Sequence, residues 1–485
     1  MRLFSIICAC AVGALLANMV SGCGSDGSTG PATQFAAEAP VAVSGMSPFS
    51  DCELFDSAIN DVPNLEVEPW IAMNPNDPNH LVAAWIQDQA LGLVSAASFD
   101  QGATWEEPVV IPGVSQCSGS DLISSFDPWL TFAANGDLYS VALNRQPPGT
   151  EGPSQILVNK SVDGGLTWSD PVTLEQVELP LLEDKPSITA DPSDECALYV
   201  GWARGDLSVS TSGRGEVVFS RTTDCGETWS DPQTLFQSNP LGIGFQSVVL
   251  PDGTVLAFFK QAQARLSIPR SFYVMRSTDG GATWPEEPTL VATTRGATAS
   301  APDGEDSIRT QGQLFDVAVD RATGRLAAVW EDTFSEDYFA KPKVALTLSD
   351  DGGQTWSEPV RIDQTPASEA ELLNQAIVPS VEISDDGTIG ITYYNFENDV
   401  PDMPPSLTDY WFIHCHPDLA NCTDPASWAD PVRITNESFD LLQAGNLFLG
   451  DYMGLTSFGS DFLAAFAISG PADQQDIYFA AIRGR

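Results

Sequence analysis

A seven-bladed, all-β propeller of four-stranded antiparallel blades is predicted by three features of the sequence. An octet of pattern Ser/Thr-x-Asp-x-Gly-x-Thr-Trp occurs five times and once more in degraded form. A hairpin of two apolar strands occurs seven times, which makes the chain a repeat structure rather than a string of unrelated domains. Gly (39) and Pro (35) punctuate the whole length, aromatic and β-branched residues are plentiful, and helical periodicity is confined to a short candidate at 368–375.

The chain opens with Met1 and Arg2, an apolar run from Leu3 to Val20, and then Ser21-Gly22-Cys23. Residues 1–22 read as a secretory signal with small residues before the cleavage point. The ending resembles the bacterial lipoprotein signal, which makes Cys23 the lipidated first residue. Residues 23–38, rich in Gly, Ser and Ala, read as a flexible tether, and 39–485 as the propeller. No later stretch is apolar long enough to span a bilayer, so the membrane is contacted only through the lipid. The expected location is the bacterial cell envelope, at the outer membrane or cell surface.

The formal net charge is −45, and only five residues are Lys. That field repels nucleic acid and anionic membrane surfaces. It suits divalent cations, a salty medium, and neutral or cationic ligands; a solubilising surface accounts for it without a specific cation. Setting aside Cys8, Cys10 and Cys23, six cysteines remain, an even number that suggests disulfides in an exported chain. Zinc is the competing reading for Cys415 and Cys422, through His414 and His416, but no C-x-x-C is present.

The five octets carry Asp100, Asp163, Asp224, Asp279 and Asp351, and the sixth, degraded turn runs from Cys422 to Trp428. The chemistry of the turn is structural. The carboxylate accepts several backbone N–H groups, the Gly takes a positive φ, and the Trp plugs the gap beside the strands. Before each turn comes a hairpin, four of them closed by Asn135-Gly136, Asp252-Gly253, Thr323-Gly324 and Asp386-Gly387. Each unit therefore reads as hairpin, third strand, boxed turn, fourth strand, which is one blade. The seventh unit ends after its third strand, 476–482, and Pro40–Ser44 is placed to supply the fourth and close the ring. Six blades plus an extra hairpin is the alternative. Within a blade the first hairpin turn and the boxed turn share a face. This pairs Cys196 with Cys225 and Cys415 with Cys422, and leaves Cys52 to pair with Cys117.

The repeated turn is similar to the Asp-box, or BNR repeat, and residues from about 60 to 485 resemble the sialidase-like propellers. That resemblance implies the fold and is compatible with hydrolases, receptors and binding proteins alike. Sialidases use three arginines, an Asp acid/base and a Tyr–Glu nucleophile pair. This chain has no Arg between Arg2 and Arg145, so the first arginine of the triad has no counterpart. Tyr452 begins the first strand of the last blade, as the sialidase nucleophile does, and Glu331 is its candidate partner.

Ligands of such propellers bind on the face opposite the Asp-boxes, where first strands begin and second strands end. The starts place Glu68, Asp127, Asp184, Lys185, Gln246, Asp316, Asp451 and Tyr452 there, and the ends place Asp88, Arg145, Arg204, Lys260, Glu331 and Asn395. Like charges gathered in this way must be protonated, cation-paired or water-bridged, and Ca²⁺ is the natural exogenous partner. Long loops at 331–342 and 395–406 lie on the same face. The functional expectation is a surface propeller that binds glycan or protein through Glu68, Arg145, Arg204, Lys260 and Asp451, without sialidase activity. The alternative is an exo-glycosidase acting through Asp127, Asp184, Asp316, Glu331 and Tyr452.

Overall fold

The computed structural model describes residues 34–485 apart from 56–62, 147–151, 207, 209–213, 240–241, 262–267, 297, 303–305, 311, 313, 336–339, 366–370, 401–403 and 471–473. The signal segment, most of the tether and the lipidation candidate Cys23 lie outside the described residues. Among the described residues no helix is long and apolar enough to cross a membrane.

Among the described residues seven antiparallel blade sheets follow one another along the chain, with a separate two-stranded sheet, Ala299–Ser300 with Ser307–Ile308, between blades 4 and 5. Their innermost strands are Glu66–Met73, Ser124–Phe132, Leu181–Ala190, Gly242–Val249, Asp316–Val319, Ala376–Ile383 and Gly454–Phe458, in blades 1 to 7. The seven-blade reading holds and the six-blade alternative falls. Of the helical candidate at 368–375, residues 368–370 lie outside the described residues, and the described part contains a 3-10 turn, Glu371–Leu373.

Ring closure follows the expected route and extends it. Val41–Ala42 pairs with Phe479 and Tyr478 of the last strand. Phe35–Ala37, assigned from sequence to the tether, is also a strand and pairs with Gly484, Arg483 and Ile482. An unpaired edge on the last strand would leave a row of open N–H and C=O groups, so each added rung removes exposed backbone.

The Asp-boxes hold the outer turns as their chemistry predicts. Asp100 Oδ1 accepts from Thr104 N at 2.8 Å and Ser98 Oγ at 2.9 Å, and Oδ2 accepts from Thr104 Oγ1 at 2.6 Å. The same bonds recur at Asp163, Asp224, Asp279 and Asp351. Hydrogen bonds from Thr228 and Thr283 hold the carboxyls of Asp224 and Asp279 down to about 2. Gly102 shows why the box needs glycine: its φ is +84°, and a Cβ there would lie 2.2 Å from the Phe479 ring. The box tryptophans pack onto the preceding blade; Trp168 Nε1 donates to Ser95 Oγ of blade 1 at 2.9 Å.

All three disulfides form as paired from the blade geometry: Cys52–Cys117, Cys196–Cys225 and Cys415–Cys422. The zinc reading at Cys415 and Cys422 is thereby corrected, because both thiols are consumed in a bond to each other.

Candidate functional site

Five of the innermost strands carry a bulge near the start, where the register slips. Four of those bulges contain a non-glycine residue at positive φ followed by proline: Glu68 (55°), Asp127 (54°), Lys185 (49°) and Val378 (50°). Such a backbone costs about 1–3 kcal/mol per residue and persists only where its surroundings enforce it. The bulges of blades 1 to 3 turn Glu68, Asp127 and Lys185 toward one another, and Asp451 of blade 7 completes the group.

Lys185 stands at the centre of this group. Its Nζ lies 2.5 Å from Asp127 Oδ1, 2.6 Å from Asp451 Oδ2 and 3.4 Å from Glu68 Oε1. Arg309 adds a second cation, with Nη2 2.7 Å from Asp451 Oδ2. Burial acts to lower the Lys185 pKa, but Asp127, Asp451, Glu68 and Asp184 outweigh it and hold the ammonium well above its ordinary value. Burial likewise acts to raise Asp451, and Lys185 and Arg309 outweigh it and keep the carboxyl low. Glu68 goes the other way: burial, aided by Asp451 and Asp127, drives it well above the carboxylate range against the pull of Lys185. Asp184 rises to about 6 through burial and the nearby Asp127. The carboxylate ring is thus relieved partly by protonation and partly by a lysine. Among the described residues no three His, Cys, Asp or Glu side chains are grouped to hold a metal ion.

A cavity of about 400 Å³ opens beside this cluster on the face away from the boxes. Its apolar wall is formed by Leu65, Val67, Ile86, Ala90, Leu91, Phe126 and Phe448, and its polar wall by Glu68, Asp88, Asp127, Arg145, Asp184, Lys185 and Arg309. Both arginines lie over aromatic rings: Arg145 is 4.8 Å from the Phe126 centroid and Arg309 is 3.9 Å from that of Phe448. Two buried polar atoms of the lining, Glu68 Oε2 and Arg145 Nε, have no hydrogen-bond partner. The rim at Asp88, Gln89 and Ala90 runs through three consecutive positive φ values, 53°, 56° and 110°. Asn64 N donates to Asp88 Oδ1 at 2.7 Å, which helps pin this turn.

Several residues expected at the mouth are engaged elsewhere. Asp316 belongs to a chain of bonds linking inner strands: Gln246 Nε2 and Val381 N both donate to it at 2.9 Å, so it ties blades 4, 5 and 6 together. Burial raises its carboxyl to about 6. Glu331 accepts from Val378 N at 2.9 Å and Thr310 Oγ1 at 2.7 Å, which supports the bulge of blade 6. Tyr452 donates to Pro128 O at 3.0 Å, is only 6% exposed, and packs beside the stacked pair Trp70–Trp129. Burial, followed by Glu68 and Asp127, drives its phenol well above the usual range. The carboxyl groups that act on Tyr452 are Glu68, Asp127 and Asp451, and Glu331 is not among them. Arg204 pairs within its own blade with Glu183 at 3.1 Å and Glu216 at 3.0 Å, and across to Glu175 on the outer strand of blade 2. Lys260 is buried between blades 4 and 5 and donates to Leu314 O at 3.2 Å.

Arg309 and Phe448 do not appear among the sequence-derived site residues. Both come from long connections, 295–315 before blade 5 and 434–453 before blade 7, which meet in a bridge between Arg309 and Phe448. The length of those connections was the available signal.

Seven blades with Asp-boxes on one face and a charged, aromatic-walled cavity on the other define an Asp-box β-propeller. The BNR/Asp-box repeat model matches residues 347–358, the turn of blade 5. Among solved structures, the chain is similar to a Dyadobacter fermentans protein of unknown function at 14% identity and a TM-score of 0.46, covering 93% of this chain and 99% of that one. It is similar to a Penicillium chrysogenum α-L-arabinanase at 12% identity and 0.47, covering 93% and 98%. A Hadza microbial sialidase is matched at 16% identity and 0.46, over 69% of this chain and 64% of that one. No curated protein sequence matches significantly. No functional assignment rests on likenesses of this degree.

Proposed function

We propose that this chain is a binding protein of the bacterial cell envelope that takes a glycan or a surface-protein ligand in the cavity opposite its Asp-boxes, without hydrolysing it. The observation that carries this reading is Lys185, bonded at once to Asp127 and Asp451. A catalytic carboxylate must be free to attack or to exchange a proton in the transition state. Here both carboxylates are bonded to the Lys185 ammonium, which their charge holds protonated. Among the described residues the Tyr452 hydroxyl donates a hydrogen bond to the Pro128 carbonyl, and the cavity wall carries two arginines, Arg145 and Arg309, where a sialidase uses three. The stacked arginines, the phenylalanines and the two unpartnered buried atoms are the features of a recognition pocket.

A second reading, glycoside hydrolysis, is favoured by one observation. Glu68, pushed toward the neutral acid, and Asp451, kept ionised, contact the same lysine. Glu68 Oε1 lies 3.4 Å and Asp451 Oδ2 2.6 Å from that nitrogen, so these two oxygens are no more than about 6 Å apart. That bound is compatible with the ~5–5.5 Å separation of a retaining carboxylate pair. A hydrolysis panel that includes sialosides and arabinofuranosides, run beside a glycan-binding array, decides between the readings. Binding without turnover is expected, and turnover that disappears in Glu68→Gln overturns the proposal.

Envelope attachment through Cys23 is part of the same proposal. Metabolic labelling with a fatty acid should mark the wild-type chain and not Cys23→Ala; equal labelling of both would refute it. Gln34, the first described residue, pairs with Arg485 at the box-side end of the last strand of blade 7.

A further inference from the structure

The ring is least regular on the Asp-box face between blades 5 and 6. Blade 5 has a complete box, whereas the turn of blade 6 is closed by Cys415–Cys422 and a 3-10 turn, Pro425–Ser427. Trp428 of that turn is withdrawn into the core, where its Nε1 donates to Cys422 O at 3.0 Å. Between the intact box and the disulfide loop lies a cavity of about 390 Å³.

We propose that this cavity is a second binding site, specific for a neutral saccharide. Its size is that of a small-molecule pocket. One wall offers the half-buried ring of Trp356, which is fixed edge-on against Phe258 with centroids 5.9 Å apart. Beside it, Arg325 Nε donates to Asp350 Oδ1 at 2.6 Å. That pair cancels its own charge while its remaining Nη donors and carboxylate oxygen can serve vicinal hydroxyls. The opposite wall presents Asn421, whose Oδ1 accepts from Thr423 Oγ1 at 2.8 Å, so the side-chain amide is held in place with its NH₂ available. Asp351 makes no call for a cation, because its carboxylate already accepts from Ser349, Gln354 and Thr355.

Aromatic surface, paired charges and fixed planar hydrogen-bonding groups together favour a polyhydroxylated, uncharged ligand over an ion or an apolar one. Both walls are rigid before any ligand arrives, one through the box and the other through the disulfide, so little ordering opposes binding. The site faces away from the cavity beside Lys185 and uses none of its residues.

The test is calorimetry and saturation-transfer NMR on the full chain with D-galactose, D-glucose, L-arabinose, lactose and cellobiose, followed by soaking of crystals with any sugar that binds. At least one sugar should bind in the millimolar range or tighter, with density against Trp356 and Asn421. Asn421→Ala and Arg325→Ala should each weaken that sugar at least tenfold without changing the melting temperature appreciably. The proposal is overturned if no sugar binds at tens of millimolar, if both variants bind within twofold of wild type, or if density appears solely in the opposite cavity.

Discussion

Lysines mark the residues at which this molecule spends or saves electrostatic energy, and two of them behave in opposite ways. Lys185 is buried among carboxylates that hold it charged. Lys260 is more deeply buried and has a backbone carbonyl as its hydrogen-bond acceptor, and burial lowers it to about 8 despite Asp332 and Glu331 nearby. The consequence for stability can be signed. The folded protein binds the Lys260 proton less tightly than the unfolded chain does. The penalty is therefore complete below about pH 8 and is relieved as pH rises from there toward the ordinary value of 10.5. Lys260→Met should stabilise the fold at pH 7 by up to about 3 kcal/mol. That advantage should shrink as pH rises past 8, measured by denaturant unfolding across the range. An advantage independent of pH would show that packing, not charge burial, is responsible. Asp224 and Asp279 have the opposite sign: their depressed carboxyls favour the folded state above the ordinary carboxylate range, and this support is lost as pH falls toward 2.

At the scale of elements, the strand pattern explains what could be read before the structure and what could not. Alternating apolar hairpins and frank turn dipeptides fix strands and their order, so the blade count and all three disulfides were legible. The convergence of first-strand starts also placed Glu68, Asp127, Asp184, Lys185 and Asp451 together, and Arg145 beside them. Side-chain direction was not legible, because the bulges shift the register by a residue at the point where it matters. Asp316 sits two residues beyond the position in its strand that corresponds to Glu68 and Asp127, and it therefore turns toward the neighbouring strands instead of the cavity. Glu331 is drawn to an exposed N–H of the blade 6 bulge for the same reason. The N-terminal strands were half legible: Val41–Ala42 reads as a strand, whereas Phe35–Ala37 is too short and too rich in small residues to stand out from the tether. Those two strands cover the outer edge of the last blade. A chain lacking residues 1–44 should melt at lower temperature and form larger species in light scattering as concentration rises, because the strand Gln475–Gly484 becomes an open edge. An unchanged melting temperature and a monodisperse monomer would mean that the ring closes without them.

At the scale of the whole propeller, the described residues form a ring of seven blades with two dissimilar faces. The boxes and two of the disulfides, Cys196–Cys225 and Cys415–Cys422, stiffen one of them. On the other, strained bulges of blades 1 to 3 bring Glu68, Asp127 and Lys185 to a common point, where Asp451 joins them from the connection before blade 7. A net charge of −45 surrounds a cavity whose wall carries Arg145, Lys185 and Arg309, so the pocket is a local exception in an acidic surface. In the proposed function, Lys185 locks the carboxylates and the stacked arginines are the groups offered to the ligand. The most direct measurement is the affinity and turnover, side by side, of any glycan captured by the wild-type chain, compared with Arg145→Ala. The account predicts that affinity falls at least tenfold in the variant and that neither protein releases product. Product released by the wild-type chain and lost on Glu68→Gln, or capture unaffected by Arg145→Ala, would contradict it.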